Sequence, residues 1–277
     1  MDTFLLDPVL DGFLREDLEH GDITTDAIFT AKDRARAFFI AREPMVVAGL
    51  EKVACRVFSM LDERITTGRM FPDGKRADKG DILLEIEGPT RVLLRGERVA
   101  LNLVQRLSGI ATMTAAFVEQ VEGLPVKITD TRKTTPGLRM LEKYAVRVGG
   151  GTNHRFSLSD GVMIKDNHIA ACGSITEAVE RVRRQTPHTI QIEVETDTLE
   201  QVEECLACKV GVIMLDNMDL PTMREAVERI HGRAIVEASG GVNLETVRGI
   251  AETGVDVISI GGLTHSAKAV DIGMDWS

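Results

Sequence analysis

Residues 189–216 read TIQIEVETDTLEQVEECLACKVGVIMLD. Two short apolar runs, TIQIEVE (189–195) and VGVIMLD (210–216), flank a segment of helical length, and each run ends in an acid, Glu195 or Asp216. Continuous apolar runs predict strands covered on both faces, and their alternation with helices predicts a parallel sheet. The same rhythm supplies four more runs: VKITDT (126–131), GVMIKD (161–166), RAIVEAS (233–239) and VDVISIG (255–261). Between them, Ile175, Ala178, Val179 and Val182 follow a Ser174/Glu177 capping pattern, and Met223, Ala226, Val227 and Ile230 follow Asp219, as amphipathic helices do. The fold class read from this half of the chain is α/β.

Polar residues gather at the C-terminal ends of the six runs. The ends deliver Asp130 to Lys133, Lys165 to His168, Glu193 and Glu195, Asp216 and Asn217, Glu237 with Ser239-Gly240-Gly241, and Gly261-Gly262 with Thr264, His265 and Ser266. Active sites of α/β barrels and of open α/β sheets lie at that edge. The last two ends place small residues and backbone N–H groups just ahead of a helix, which suits a phosphate; tight turns needing Gly are the competing reading.

The stretch 130–168, DTRKTTPGLRMLEKYAVRVGGGTNHRFSLSDGVMIKDNH, carries seven Lys/Arg and two His against four acids, in a chain of formal net charge -10. Two cations about 6 Å apart at an effective dielectric near 20 repel by roughly 3 kcal/mol, so their convergence in one cleft calls for an anion. A solvated helix face competes for Arg139, Lys143 and Arg147, which are spaced i, i+4, i+8. Arg132, Lys133, His154, Arg155 and Lys165 instead stand beside Gly, Pro, Thr and Asn at element ends, where loops supply function.

The first hundred residues read as mixed α+β. Residues 7–19 predict a helix, 35–50 and 80–94 predict strands around a helix at 49–62, and Glu97 to Val121 predicts a helix with Arg98, Asn102 and Gln105 on one polar face. The acidic start MDTFLLDPVL is unlike a signal peptide, no run approaches the roughly 18 residues of a membrane span, and the expectation is a cytoplasmic protein. A pI near 5.2 argues against nucleic acid and for a small ligand with a local basic site. Cys205 and Cys208 form a CxxC with no second pair to complete a zinc site, and the reading is two positions on a helix.

The segments DTRKTTPGLR, KYAVRVGGGTNHRFSLSDGVMIKDNH, EVE, LDN, EASGG and GVDVISIGGLTHS resemble the quinolinate phosphoribosyltransferase family, and the likeness runs from EDLEHGDITTD near residue 16 to the end of the chain. That resemblance implies an incomplete, seven-stranded α/β barrel over 109–266 behind an α+β N-terminal domain over 1–108, with packing of the tail 267–277 on the latter left open. It implies a pentosyltransferase of NAD biosynthesis, joining quinolinate to phosphoribosyl pyrophosphate (PRPP) to give nicotinate mononucleotide, CO2 and pyrophosphate. Quinolinate contacts then fall on Arg132, His154, Arg155 and Lys165, with Arg98 from a neighbouring subunit. The PRPP side falls on Thr131, Lys133, Glu195 and Asp216, with Lys133, Glu195 and Asp216 as the catalytic set, and phosphate loops on Ser239, Gly240, Gly241, Gly261, Gly262 and Leu263. Mg²⁺ is expected with PRPP, by way of Glu195 and Asp216 if the protein touches it at all. A homodimer with shared sites is implied, with a hexamer as the larger assembly.

Three rivals stand beside this reading. A paralogous phosphoribosyltransferase of the kind linked to molybdenum transport would take another aromatic acid, although the Arg98, Arg132, Arg155 and Lys165 set suits a diacid. A Schiff-base aldolase would use Lys165 as nucleophile. A non-catalytic sugar-phosphate binder would leave Glu195 and Asp216 without a purpose in an anion site.

Overall fold

The computed structural model describes all 277 residues. Its strands are Arg34–Ala41 (β1), Met45–Val46 (β2), Thr66–Met70 (β3), Arg76–Ala77 (β4), Ile82–Pro89 (β5), Lys127–Thr129 (β6), Val162–Ile164 (β7), Ile192–Thr196 (β8), Val212–Asp216 (β9), Ile235–Ser239 (β10), Val257–Ser259 (β11) and Ile272–Trp276 (β12). The chain divides into two compact units: 1–115 with 135–150 and 266–277, and 116–134 with 151–265.

The first unit is built on an antiparallel sheet of order β12-β1-β5-β3, with β2 and β4 paired separately. Phe39 of β1 packs edge-on against Phe58 of the helix Cys55–Leu61, their ring centres 6.2 Å apart, over a core that includes Leu83, Leu84, Ile86 and Leu93. Several elements depart from the sequence reading. The long helix spans Thr90–Gln120, so residues 90–94, read above as strand, are helical. Strands β3 and β12 went unpredicted: every residue of β3 is exposed, so no alternation marks it.

The second unit is the parallel sheet. Strand order β6-β11-β10-β9-β8-β7 uses each of the six apolar runs, and its strands pair in parallel throughout. β6 and β11, the first and last in sequence, are neighbours, so the sheet curls back on itself as a barrel does. The implied seven strands are corrected to six. At the position of a further strand there is one parallel bridge, Thr129 to Thr152, because GGGTNH has no apolar residue with which to extend a ladder. The outer helices bury one stripe each, with Ile175, Ala178 and Val179 on Ile175–Gln185, Val202 and Cys205 on Leu199–Ala207, and Met223, Ala226 and Ile230 on Leu220–Ile230. Ser174, Thr198 and Asp219 cap them by accepting from the backbone N–H three residues on.

Candidate active site

Side chains alternate across a strand, so residues two apart face the same side. In the parallel sheet this puts Met163 and Lys165, Glu193 and Glu195, Met214 and Asp216, Glu237 and Ser239, and Ser259 and Gly261 on the inward face as pairs. The upper member of each pair stands at the C-terminal end of its strand. A cavity of about 580 Å³ opens there, lined by Thr131, Arg132, Lys133, His154, Arg155, Met163, Lys165, Glu195, Met214, Asp216, Asn217, Glu237, Ser239, Gly240, Gly241 and Ser259.

Of the seven cations in 130–168, Arg132, Lys133, Arg155 and Lys165 line this cavity. Arg139, Lys143 and Arg147 belong to the helix Arg139–Val148 of the first unit. They do not form the solvated face considered above, since Lys143 is fully buried. Arg98 also lies in the first unit, on the Thr90–Gln120 helix, with its side chain 68% exposed and Nη2 3.3 Å from its neighbour Glu97.

Three of these four cations have a fixed mount. The Lys133 N–H donates to Thr131 Oγ1 at 3.0 Å, and Thr264 Oγ1 donates to the Lys133 carbonyl at 2.8 Å. Gly261 lets the Lys133 side chain pass, because a Cβ there would sit 2.8 Å from Lys133 Cδ. Arg155 Nη1 donates to the Gly161 carbonyl at 2.8 Å, and burial, then the charge of Arg132, pulls the Arg155 guanidinium below its usual value. The Arg132 charge acting on a half-buried Arg155 in one cavity is an arrangement that a bound anion would offset. Lys165 Nζ pairs with Glu195 Oε2 at 2.6 Å.

The turn after β10 is shaped for close approach. Gly240 has φ +95°, and a Cβ on it would lie 2.2 Å from Asn217 Oδ1. Asn217, itself at φ +53°, donates from its backbone to the Ser239 carbonyl at 3.0 Å and from Nδ2 to Asp216 Oδ2 at 2.7 Å. Ser239-Gly240-Gly241 therefore lines the cavity beside Asp216, as the sequence motif implied. Gly261, Gly262 and Leu263 are not among the lining residues; Gly261 meets the cavity only through Lys133, and Leu263 is buried.

Beneath the cations His154, implied above as a quinolinate contact, meets two acids, Glu193 and Glu237, to which no role was assigned. His154 Nε2 lies 3.2 Å from Glu193 Oε2 and 3.6 Å from Glu237 Oε1, and both acids are buried. His154 Nδ1 accepts from the Arg155 N–H at 2.8 Å, which assigns the ring proton to Nε2, facing the acids. Asp130, fully buried, fixes the approach by accepting from the His154 backbone at 2.9 Å. Burial, then the charge of Glu193, pushes Glu237 up to about 7. Both glutamates are visible at their run ends, but only the fold shows that the HisArg pair at 154–155 crosses to them.

Family models for quinolinate phosphoribosyl transferase match both parts of the chain, the N-terminal domain over 22–108 and the C-terminal domain over 110–275. Over 275 residues the chain is 48% identical to the probable nicotinate-nucleotide pyrophosphorylase [carboxylating] of Bacillus subtilis, covering 99% of this chain and 94% of that one. It is 46% identical to the nicotinate-nucleotide pyrophosphorylase [carboxylating] of Mycobacterium leprae, over 95% and 94% of the two chains. Among solved structures, NadC from Streptococcus pyogenes superposes with a TM-score of 0.95 at 46% identity, covering 100% of this chain and 99% of that one.

Proposed function

This chain belongs to the quinolinate phosphoribosyltransferase family, and from that premise we propose that the cavity at the parallel strand ends is where its two substrates react. The reaction is that of a carboxylating nicotinate-nucleotide pyrophosphorylase: the phosphoribosyl group of PRPP passes to quinolinate, and nicotinate mononucleotide, CO2 and pyrophosphate leave, in the service of NAD biosynthesis. The observation that carries the assignment to this cavity is the meeting of Arg132, Lys133, Arg155 and Lys165 in one space with Glu195 and Asp216.

Quinolinate brings two adjacent carboxylates. Arg132 and Arg155 can each grip a carboxylate with two parallel N–H bonds, and Lys165 adds a point charge. The pyridine nitrogen then attacks C1 of the ribose as pyrophosphate departs, through a transition state with oxocarbenium character. Glu195 and Asp216 are placed to offset that developing positive charge and to hold ribose hydroxyls, and Lys133 to meet the charge on the leaving group. Ser239-Gly240-Gly241 offers backbone N–H groups to the 5′-phosphate. Once the nitrogen is quaternary, loss of the adjacent carboxylate leaves a carbanion beside a positive centre, and orientation and exclusion of water favour breaking that bond.

Mg²⁺ fits this donor set. Glu195 and Asp216 present carboxylate oxygens to the cavity, the hard donors that would hold Mg²⁺ there, directly or through its waters. Travelling with PRPP, it would neutralise part of the pyrophosphate charge. The assembly in this reading is a homodimer, in which Arg98 of the neighbouring subunit completes each quinolinate site.

The test is a coupled assay of pyrophosphate and CO2 release with quinolinate, PRPP and Mg²⁺, run beside nicotinate in place of quinolinate. Release of both products from quinolinate, and of neither from nicotinate, is expected. Turnover of nicotinate alone would overturn the assignment in favour of a monoacid phosphoribosyltransferase.

A further inference from the structure

Decarboxylation creates a demand that none of the groups above meets. When the C2 carboxylate leaves as CO2, the electron pair of the broken C–C bond stays on C2, yet nicotinate mononucleotide carries hydrogen there. One proton must therefore reach C2 inside the cavity.

Few of the lining groups can supply it. Arginine does not give up its proton at neutral pH. Lys165 is paired with Glu195, Asp216 accepts from Asn217, and Lys133 is assigned above to the leaving pyrophosphate, away from C2 of the pyridine. Met163, Met214 and Ser259 are poor acids. Glu237 remains. It lines the cavity, is 4% exposed, and faces Glu193 across His154 Nε2. Glu193 Oε1 and Glu237 Oε1 are both buried without a hydrogen-bond partner. Two ionised carboxylates in that state would carry the full cost of buried, unsatisfied charge, so the group retains a proton. The tautomer of His154 places an N–H between the two acids, where it holds their carboxyl groups in position.

Resting on the reaction assigned above, we propose that Glu237 is the acid that protonates C2 of the pyridinium as CO2 departs, with His154 and Glu193 as the positioning residues that hold it in place. The balance is closed: the C2–carboxylate bond breaks, its electron pair takes the Glu237 proton to form the C2–H bond, and Glu237 is left as a carboxylate. Glu237 then recovers a proton from solvent through the cavity that it lines. The elevated affinity of Glu237 for protons, set by burial and Glu193, keeps the acid form present at neutral pH.

The experiment follows pyrophosphate and CO2 separately in a single turnover of full-length wild type, Glu237→Gln and Glu237→Asp. In the wild type the two appear together. In Glu237→Gln, pyrophosphate release is expected within about threefold of wild type while CO2 release lags at least tenfold, and the undecarboxylated quinolinate mononucleotide accumulates, detectable by mass. If the amide does not fold, the shorter acid in Glu237→Asp is expected to show the same lag in smaller degree. Pyrophosphate and CO2 moving together in both variants would overturn the proposal. A wild type that releases neither product from quinolinate would instead remove the reaction on which it rests.

Discussion

Lys165 Nζ stands 2.6 Å from Glu195 Oε2, reaching from the end of β7 to the end of β8. The acid thus occupies the ammonium, and in the proposed reaction a carboxylate bound at Lys165 must share or replace it. The Lys165 side chain is 45% exposed, and solvent screens the pair accordingly.

Removing the ammonium should therefore act on quinolinate. Lys165→Ala is expected to raise the quinolinate KM by about 10- to 100-fold, the worth of one charge-assisted hydrogen bond. Glu195→Gln should leave that KM unchanged or lower, since it frees the ammonium, while kcat falls by about 10- to 100-fold through loss of charge opposite the oxocarbenium. Steady-state kinetics of both variants check this. A rise in quinolinate KM in Glu195→Gln would contradict it.

The turn at 239–241 separates two glycines by their surroundings. Gly240 is at φ +95° with Asn217 in the way of any Cβ, whereas Gly241 is at φ +61° with open space around it. Gly240→Ala is expected to cost upwards of about 1 kcal/mol of stability, and to raise the PRPP KM at least about tenfold as Asn217 shifts. Gly241→Ala should cost about 1 kcal/mol or less and leave the PRPP KM within a few fold. Thermal melts and PRPP titrations distinguish them, and equal effects would show that the Asn217 contact is not what demands glycine.

What the sequence disclosed and what it hid follow from the kind of signal each residue leaves. The six barrel strands were legible because burial on both faces forces unbroken apolar runs, and Lys165, Glu195, Asp216 and Ser239 were legible as polar residues ending those runs. Strand β3 is exposed throughout and left no periodicity. Lys143 has the spacing of a surface stripe yet is buried, a distinction carried by tertiary packing alone. The approach of His154 to Glu193 and Glu237 joins positions far apart in the chain, and no local pattern encodes that meeting.

The buried acid also leaves a mark on stability. Glu237 has a folded value of about 7 against an ordinary value of 4.5, so between these the folded state holds a proton that the unfolded state has released. Its contribution is fully present below about pH 4.5 and is lost as pH rises through about 7. Glu237→Gln removes that loss. The variant is thus expected to gain on wild type between pH 5 and pH 8 by something on the order of 2 kcal/mol, read as a changing difference in Tm. A difference in Tm that stays flat across this interval would mean that Glu237 titrates as an ordinary surface acid.

Arg98 offers the last test, because it does not line the cavity, yet it presents an exposed guanidinium that pairs with its sequence neighbour Glu97. An arginine in that state has little to do for its own chain, and a diacid site on a second subunit gives it a partner. Arg98→Ala and Arg155→Ala should each abolish most activity alone, one by failing its neighbour's site and the other by failing its own. After mixing and exchange of subunits, a two-fold dimer with shared sites gives half of the molecules as heterodimers carrying one intact site each, so about a quarter of wild-type activity should return. The readout is pyrophosphate release before and after co-refolding at equal concentrations. Activity that stays at the level of the separate variants would show that Arg98 does not complete a neighbour's site.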